Sequence, residues 1–563
     1  MGILDLITGR ASAPNRKSVG NISRRIRKVR NSIVQNATRA AREAAKPRFG
    51  AQKVDFNSIL TNKTSIAENI ALQKQHAKGK LSARERIDAL FDENTFIEIG
   101  QFVGSNFADE DFKGTGVITG FGNVNGQKVL IYAQDFSVQG GSLGEVEGAK
   151  ICHILDLALE QRVPVIALLD SGGARIQEGV GALGYYGKIF QKTAALSGLV
   201  PQISLILGPC AGGAVYCPAL TDFIVITEDN SHMFVTGPDV VKAVTGEEVT
   251  ADDLGGGLMH STVSGVSHYL APEEYSALEW TRVLLSFLPA NSRGKNEVYQ
   301  YNPGGEDDRL ANFLEGVVPE NPKQGYDVLD VIYSLLDYEE FIEIHQLFAP
   351  SAVVGFGRIN GETIGVVANQ PQFNAGTLDI DASEKIARFV QFCDVFNIPV
   401  VTLVDVPGYR PGTNQERAGI IRRGAKVITA YATATVPLIT VILRKAYGGA
   451  YIVMGSKEIG ADVNLAWPKA EIAVLGAAGA VEIIHRRKLK ECQAKGEDVD
   501  VLRQQLIDDY TKSTINANLS QEKGAIDALI SPRDTRRYLV SALDLLRNKK
   551  QLIQEKKHDN RPL

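Results

Sequence analysis

The chain has 563 residues, 44% apolar and 22% charged, and this length exceeds what one hydrophobic core usually organises. The net charge of −4 argues against nucleic acid as the main partner, and no apolar run reaches the roughly 18 residues of a membrane-spanning helix. Five cysteines without CxxC spacing, with no signal peptide pattern before them, predict no structural zinc and a reduced, cytoplasmic compartment. The mitochondrial matrix is the less favoured alternative.

The first fifty residues differ from the rest. Between residues 16 and 48 the chain carries many Lys and Arg but a single acid, Glu43. Apolar residues at Ile22, Ile26, Val29 and Ile33 recur at helical spacing, which predicts a basic amphipathic helix. A docking helix for an acidic partner is the favoured interpretation, ahead of a solvated tail and a mitochondrial transit peptide.

The remainder of the chain contains one pattern twice. At an offset of 235 residues, Gly141 matches Gly376 and Asp170 matches Asp405, and the register holds without a slip. An earlier stretch matches at an offset of 245, and the difference falls at an insertion near residues 109–111. Two homologous domains are therefore indicated, rather than a solenoid array.

In both copies, short apolar and β-branched runs alternate with helix-like stretches, which is typical of α/β domains with buried sheets. In the first copy we expect helices near 144–161 and 179–197 and strands at Val129–Ala133, Val163–Leu169 and Gln202–Leu207. In the second copy we expect helices near 382–396 and 415–433 and strands at Thr363–Ala368, Pro399–Val404 and Leu438–Leu443.

The two copies divide the chain into four regions. Residues 290–325 are rich in Pro, Gly, Asn and Asp, which is typical of a connecting segment. We therefore expect a basic extension over 1–50, a first domain over 51–295, a linker over 296–325 and a second domain over 326–563.

Each copy has a Gly-Gly-Ala sequence directly after an apolar strand, at Gly212–Ala214 and at Gly448–Ala450. A helix start exposes unpaired backbone N–H groups, and glycine lets a ligand approach them closely. Two such amides from neighbouring strand ends can bind one oxygen that gains negative charge, as in an oxyanion hole. Tight turns also use glycine, but the same sequence at the same place in both copies favours a site.

Other motifs point less clearly to chemistry. Ser142 lies in a G-x-S-x-G sequence typical of hydrolase nucleophiles, but its counterpart is Thr377 and no motif supplies a histidine base. His260 and His268 are more typical of core or solvated histidines than of catalytic bases. No P-loop sequence is present, so ATP binding is not expected on this chain.

Several longer stretches carry a family resemblance. They are Gly140–Glu145, Gly172–Gly179, Phe234–Pro238, Asp405–Tyr409 with Gln415 and Glu416, and Arg444–Tyr451. With these stretches in order, residues 60 to 545 resemble the carboxyltransferase (β) subunit of biotin-dependent acyl-CoA carboxylases, of the propionyl-CoA and acetyl-CoA carboxylase type.

The resemblance implies an α/β fold of two tandem crotonase-like domains, of the ClpP/crotonase ββα superhelix type, from an internal duplication. It implies that Gly212 and Gly213, with Ala174 nearby, polarise the thioester carbonyl of an acyl-CoA. The other implied substrate-binding residues are Gly172, Gly173, Arg175, Tyr451 and Ile452. On the biotin side it implies Gly449 and Ala450 as catalytic residues, and Gly408, Tyr409 and Gly448 as binding residues.

The resemblance also implies partners and a cofactor. In that family the first domain of one subunit holds acyl-CoA, the second domain of its dimer partner holds biotin, and dimers usually form a ring-shaped hexamer. Biotin arrives covalently bound to a biotin carboxyl carrier, because this chain lacks a Met-Lys-Met acceptor sequence, and a biotin carboxylase supplies the ATP-dependent step. No metal is expected. Biotin also serves as the base, which fits the lack of a convincing protein nucleophile.

Two features depart from the family pattern. Ile452 stands where many short-chain members carry Asp, so the acyl preference among acetyl, propionyl and longer chains stays open. The basic extension is longer than usual, which indicates an accessory subunit. The expected product is malonyl-CoA or an α-carboxylated homologue, a precursor for fatty acid biosynthesis. Two alternatives are a component of a biotin-dependent decarboxylase and a non-catalytic paralogue in a mixed ring.

Overall fold

A computed structural model describes residues 72–104, 115–302, 306–322, 324–551, 557, 558, 560 and 561. The expectations for residues 1–50 and for the insertion near 109–111 lie outside these residues. No helix in the described ranges is both long enough and apolar enough to cross a bilayer.

Two eight-stranded sheets organise the described chain. The strands of the first sheet are β1 (Ile97–Ile99), β2 (Val117–Val124), β3 (Gln127–Gln134), β4 (Val165–Ser171), β5 (Gln202–Ala211), β6 (Phe223–Thr227), β7 (His232–Phe234) and β8 (Tyr269–Ala271). Their order is β1-β2-β3-β4-β5-β6-β8, and β7 pairs with the end of β5. The first three strands are antiparallel, and the others are parallel.

The second sheet repeats this arrangement. Its strands are β9 (Phe341–Ile344), β10 (Ala352–Ile359), β11 (Glu362–Asn369), β12 (Val400–Val406), β13 (Leu438–Tyr447), β14 (Val463–Ala466), β15 (Glu471–Ala473) and β16 (Ala528–Leu529). Their order is β9-β10-β11-β12-β13-β14-β16, and β15 pairs with the end of β13. The topology thus confirms the duplicated α/β organisation.

Helices cover both sheets. In the first copy they are α1 (Ala83–Leu90), α2 (Glu145–Gln161), α3 (Val180–Leu196), α4 (Tyr216–Ala219), α5 (Pro238–Thr245), α6 (Ala251–Gly255), α7 (Gly257–Met259) and α8 (Glu274–Leu285). Helix α9 (Glu306–Val317) connects the copies. The helices of the second copy are α10 (Val328–Leu335), α11 (Ile380–Val395), α12 (Thr413–Arg417), α13 (Ile420–Thr433), α14 (Gly448–Val453), α15 (Ala477–Ile484), α16 (Arg486–Ala494), α17 (Val499–Tyr510), α18 (Ala517–Glu522) and α19 (Thr535–Leu546).

The elements predicted from the sequence coincide with β3 to β5, with β11 to β13 and with the helices between them. Two differences have physical reasons. The strand expected to end at Leu207 continues to Ala211, because its far end pairs with β7. The helix expected over 415–433 is divided into α12 and α13, because Gly419 has a left-handed φ of 85° between them.

One hydrogen-bonding arrangement recurs in both copies and holds each hairpin turn. The Asp92 carboxylate accepts bonds of 3.0 and 2.8 Å from two amides of the β2–β3 turn, and Asp337 accepts bonds of 2.9 and 2.6 Å in the β10–β11 turn. Arg282 then donates to Asp92, and Arg536 donates to Asp337. The duplication therefore extends to individual hydrogen bonds.

The two copies share an apolar core and belong to one compact unit. Phe223 of the first sheet contacts Phe356 and Phe392 of the second copy, with ring centroids 6.2 and 4.7 Å apart. Separate clusters fill the space between the first sheet and α2 and α3, and between the second sheet and α10 and α19. The boundaries at 295 and 326 stay predictions, and α9 occupies part of the predicted linker.

A pair of buried histidines lies at the junction of the copies. The rings of His268 and His345 are 4.1 Å apart, His268 Nδ1 accepts from the Ile224 amide, and His345 Nε2 lies 3.1 Å from the Gly265 carbonyl oxygen. Burial, reinforced by the nearby Lys385 ammonium, lowers the pKa of His345 to about 3. Burial also lowers the pKa of His268 well below its usual range, so both rings are neutral in the folded chain, and neither is placed as a catalytic base.

This pair predicts a loss of stability in acid. In the unfolded chain His345 takes up a proton near pH 6.5, whereas the folded chain resists protonation down to about pH 3. Because the unfolded state binds the extra proton, stability falls as the pH drops through this window, by about 2 kcal/mol at pH 5 from His345 alone.

The measurement is thermal unfolding of wild-type protein and the variant His345→Gln at pH 7 and pH 5. We expect the variant to lose less stability on acidification, because the titrating ring is absent. An equal loss in both proteins would contradict the assignment.

Candidate functional site

Two loops at the carboxyl ends of β4 and β12 have the same hydrogen bonds. In the first copy the Leu143 amide donates to the Gly173 carbonyl at 2.9 Å, and the Arg175 amide donates to the Leu143 carbonyl at 2.9 Å. In the second copy Leu378 makes the equivalent bonds with Gly408 and Arg410, at 3.1 and 2.7 Å. In each copy these two hydrogen bonds form a bridge to the two residues that flank a single loop position.

That loop position is Ala174 in the first copy and Tyr409 in the second. Because the flanking residues make the bridge, the N–H groups of Ala174 and Tyr409 point to the opposite side of the loop. The first loop lies against the end of β5, since a Cβ on Gly173 would lie 3.2 Å from the Ala211 carbonyl oxygen. A backbone donor is therefore free to face the neighbouring strand end.

The Gly-Gly-Ala corners occupy those neighbouring strand ends. In the first copy a 3₁₀ turn, Gly212–Val215, follows β5, and in the second copy α14 begins directly after β13. Gly212 and Gly448 have left-handed φ values of 66° and 61°, which a residue with a Cβ adopts only with strain. The first amides of each helical segment lack intrahelical partners.

Open space lies in front of the second glycine of each corner. A Cβ built on Gly213 or on Gly449 meets no atom within 4 Å, and the same holds for Gly408 of the second loop. Each copy therefore brings a loop amide and the first amides of a corner to the carboxyl ends of two adjacent parallel strands. Such a set of donors can bind an oxygen that gains negative charge.

A buried carboxylate lies near the carboxyl end of the central strand of each copy, shortly before the loop. Asp170 and Asp405 have exposed fractions of 0% and 1%. The Asp170 amide donates to the Gln134 side-chain oxygen at 3.2 Å, and the Asp405 amide donates to the Asn369 side-chain oxygen at 3.2 Å. These acids stand at equivalent places, and the sequence pairs them without indicating a role.

The cations that neutralise the two acids come from different places. Lys80 and Arg86, near and on α1, contact Asp170 at 2.7 and 2.9 Å, and Glu274 balances the charge of Arg86. A Cβ on Gly208 of β5 would lie 2.0 Å from the Asp170 carboxylate, so only glycine fits there.

The second copy has Arg444 at the position equivalent to Gly208, and its Nε donates to Asp405 at 3.0 Å. The Lys445 amide also donates to Asp405 at 3.1 Å. In the first copy the cations therefore come from α1 and the segment before it, and in the second copy the cation comes from β13.

Arg175, predicted to bind substrate, is held by protein groups. Its guanidinium donates to Glu178 at 2.6 Å, to Glu147 at 2.8 Å and to the Ser142 carbonyl at 3.0 Å. Its side chain is 15% exposed. The position of Arg175 thus fixes the loop that carries Ala174.

The remaining predicted residues divide between the interior and the surface. Tyr451 is buried, and its hydroxyl has no partner among the described residues, whereas Ile452 is 39% exposed in the second turn of α14. Burial raises the pKa of Tyr409 to about 12. Gly172 donates from its amide to the Gly140 carbonyl at 3.0 Å and belongs to the same loop.

Two residues that the motifs single out make structural bonds. The Ser142 hydroxyl donates to the Gln139 carbonyl at 2.9 Å, and the nearest charged group is the Arg175 guanidinium at 3.3 Å. The ring of His260 contacts the Met233 carbonyl at 2.7 Å and the Ser264 hydroxyl. His260 and His268 are thus both engaged with other groups, and neither acts as a base for Ser142.

A separate cleft of about 450 Å³ lies at the junction of the copies, where α11 and α13 face β6. Its walls include Asp222, His268, His345, Lys385 and Arg388, and none of the corner or loop residues. Within the described ranges, no three His, Cys, Asp or Glu side chains are grouped to hold a metal ion.

Comparison with known proteins gives a consistent result. The family model for the carboxyl transferase domain matches residues 74–561. The propionyl-CoA carboxylase beta chain of Saccharopolyspora erythraea is 54% identical over 505 residues, which cover 88% of this chain and 92% of that one. The methylmalonyl-CoA decarboxylase subunit alpha of Propionigenium modestum is 47% identical over 499 residues, which cover 87% and 95%.

A solved structure supports the fold class. The transcarboxylase 12S crystal structure, described as a hexamer with methylmalonyl-coenzyme A and methylmalonic acid bound, is 44% identical in sequence, with a TM-score of 0.83. The similarity covers 92% of this chain and 100% of that chain. The expected pair of crotonase-like α/β domains is confirmed.

The buried carboxylates lead to a prediction about stability. The variant Asp170→Asn leaves the Lys80 ammonium, 5% exposed, without a carboxylate partner. Breaking a buried ion pair in this way costs about 3 to 5 kcal/mol, so we expect a large drop in the unfolding midpoint.

The matched control is Glu248→Gln, which removes an exposed ion pair with Lys242 and should cost about 0 to 1 kcal/mol. Chemical denaturation of the three proteins measures the difference. Equal midpoints for Asp170→Asn and the control would contradict a supporting role for the carboxylate.

Proposed function

The chain belongs to the carboxyl transferase domain family, and we propose that it transfers a carboxyl group from carboxybiotin on a partner chain to the α-carbon of an acyl-CoA. The product is malonyl-CoA or an α-carboxylated homologue. The observation that carries this proposal is the pair of equivalent corners, each next to a loop amide at a neighbouring strand end.

We assign the first corner to the acyl-CoA. Loss of the α-proton places negative charge on the thioester oxygen, and the amides of Gly212, Gly213 and Ala174 donate hydrogen bonds to it. Gly172 and Gly173 bring the backbone close to the thioester. Arg175 supports this loop through Glu147 and Glu178, which gives it a positioning role.

We assign the second corner to biotin. When bound, biotin supplies the carboxyl group and acts as the base. The amides of Gly449 and Ala450 hold its ureido oxygen, Gly448 permits the turn, and Gly408 and Tyr409 line the approach. Two oxygens gain negative charge in one reaction, so the duplicated fold provides one set of donors for each.

We infer partners from the same division. Biotin is carried by a biotin carboxyl carrier chain, and a biotin carboxylase provides the ATP-dependent carboxylation. Dimers that place the first corner of one chain opposite the second corner of its partner form a ring-shaped hexamer. The solved transcarboxylase 12S hexamer, 44% identical, supports this assembly. The five cysteines are all buried and unpaired, which supports a cytoplasmic location.

The acyl preference depends on the outer edge of the second corner. Ile452 is 39% exposed there, and Tyr216 occupies the equivalent place in the first copy with 49% exposed. An apolar side chain at this edge favours apolar contacts with the bound groups. We therefore propose that Ile452 contributes to the choice among acetyl, propionyl and longer acyl chains, which are to be compared directly.

A second candidate is the reverse transfer, from a carboxyacyl-CoA to biotin. The 47% identity with a methylmalonyl-CoA decarboxylase subunit alpha favours including it. The same two corners serve both directions, because the same oxygens carry charge. A non-catalytic paralogue is disfavoured, since both corners keep glycine at the left-handed position.

The corner assignment predicts the effect of filling the open space. Gly213→Val and Gly449→Val place methyl groups where a Cβ meets no protein atom, so the fold tolerates them while the oxygen is displaced. Loss of one oxyanion donor lowers turnover about a hundred- to a thousandfold, and we expect at least this loss. The assay is ATP- and bicarbonate-dependent label fixation by the reconstituted complex, across acyl-CoA chain lengths.

The control is Gly316→Val, at an exposed glycine of α9 that also meets no atom within 4 Å. Size-exclusion chromatography checks that all three variants assemble. Normal turnover in both corner variants would remove the oxyanion assignment.

We also propose that the basic extension over residues 1–50 docks an acidic accessory subunit. Deleting these residues should leave carboxyl transfer intact and remove one partner from the purified complex. Replacing Arg24, Arg25, Arg27 and Arg30 by Gln in the full-length chain should have the same effect, because the positive charges of these side chains bind the acidic subunit. An unchanged complex composition would end this proposal.

A further inference from the structure

A row of buried polar side chains crosses the second sheet beneath its corner. Thr402, Thr440 and Asn464 are direct neighbours on the parallel strands β12, β13 and β14. Directly paired residues point to the same face of a sheet, so the three side chains form one row. Their exposed fractions are 1%, 1% and 0%.

The row faces helices α13 and α14. Thr402 Oγ1 lies 2.8 Å from the hydroxyl of Tyr431 on α13, and Thr440 Oγ1 donates to the Gly455 carbonyl at 2.6 Å. Gly455 follows α14 closely in the chain, and a Cβ on it would lie 3.0 Å from both Thr440 Oγ1 and the Tyr431 ring. The end of α14 therefore lies directly on this polar row.

The first copy has a different row at the same place. Its paired residues are Ala167, Ser204 and Ile224, so two of the three are apolar. The hydroxyl of Thr221 donates to Ser204 at 3.1 Å, which satisfies the one polar member. The polar row is therefore a property of the second copy alone.

Two members of this region have hydrogen-bonding capacity that no described protein atom meets. Neither the Oδ1 nor the Nδ2 of Asn464 has a partner among the described residues, and the same is true of the Ser456 hydroxyl. Both residues are 0% exposed. Ser456 directly follows Gly455, whose carbonyl accepts from Thr440, the strand neighbour of Asn464. Buried polar groups of this kind cost stability unless a partner satisfies them.

We propose that Asn464 and Ser456 hold an internal water site, and that this hydrated layer positions α14 and the corner at its start. A buried water typically makes about three hydrogen bonds, which matches one amide oxygen, one amide nitrogen and one hydroxyl. Because α14 has six residues, the layer at its end lies roughly 9 Å along the helix from the corner. Asn464 is a positioning residue in this account, which rests on the assignment of the second corner to biotin.

A crystal structure of the full-length protein tests the water site without any assay of activity. We expect an ordered water within about 2.7 to 3.2 Å of both the Asn464 amide and the Ser456 hydroxyl. Direct bonds from both side chains to protein atoms, with no water between, would overturn the site.

Kinetics of reverse transfer tests the positioning role. In this reaction the bond between the α-carbon and the carboxyl group of methylmalonyl-CoA breaks, and the carboxyl group joins a ureido nitrogen of free biotin. The α-carbon takes the proton that the nitrogen loses, which gives propionyl-CoA. The variant Asn464→Leu keeps the shape of the side chain and removes its hydrogen bonds.

For Asn464→Leu we expect kcat/KM for biotin to fall at least about tenfold, since a small displacement of a reacting group can cost about a hundredfold. We expect KM for methylmalonyl-CoA to stay constant and the unfolding temperature to stay equal or rise. Unchanged constants for both substrates, or an equal loss for both, would overturn the positioning role.

The matched variant is Thr221→Val, which removes the hydrogen bond to Ser204 beneath the first corner. For Thr221→Val we expect the KM for methylmalonyl-CoA to change and kcat/KM for biotin to stay constant. If both variants lowered only kcat/KM for biotin, the assignment of one substrate to each corner would be overturned. If wild-type protein transfers no carboxyl group, the proposed function fails, and the crystal structure still decides the water site.

Discussion

A buried carboxylate shortly before each loop is the constraint on which the rest of the site depends. Asp170 and Asp405 lie between the central strand and its neighbour, where water cannot solvate their charge. Each therefore needs a cation: Arg86 joins Asp170 of β4 to the Leu207 carbonyl of β5, and Arg444 of β13 donates to Asp405 of β12. Gly208 of the first copy and Arg444 of the second are equivalent positions. Both carboxylates are therefore neutralised, but by cations from different parts of the chain. The spacing of the backbone donors follows from these links between the strands.

Side chains around the site are occupied in holding the backbone. Arg175 is bound by Glu147 and Glu178, Ser142 donates to a carbonyl, and the buried histidines are neutral. The positions left facing open space are Gly213 and Gly449 of the corners and Gly408 of the second loop. A site built from amides suits chemistry in which a bound cofactor acts as the base and the protein stabilises charge on oxygen.

The sequence predicted the duplication, the central strands and the corners, because these depend on local patterns that occur twice. It did not predict the cation partners of Asp170, since Lys80 and Arg86 are about ninety residues away and only the fold brings them together. Arg175 was expected to bind substrate because its motif lies at the site. Its ion pairs with Glu147 on α2 depend on tertiary packing, which a motif does not encode. The polar row through Asn464 depends on strand register in the same way.

The central claim is that each copy uses paired backbone amides to hold one oxygen. A crystal structure of the full-length protein with an acyl-CoA and biotin bound tests it most directly. We expect the thioester oxygen within about 2.7 to 3.1 Å of the amides of Gly213 and Ala174, and the ureido oxygen equally close to those of Gly449 and Ala450. Oxygens held instead by side chains, or bound in the cleft between the copies, would contradict it.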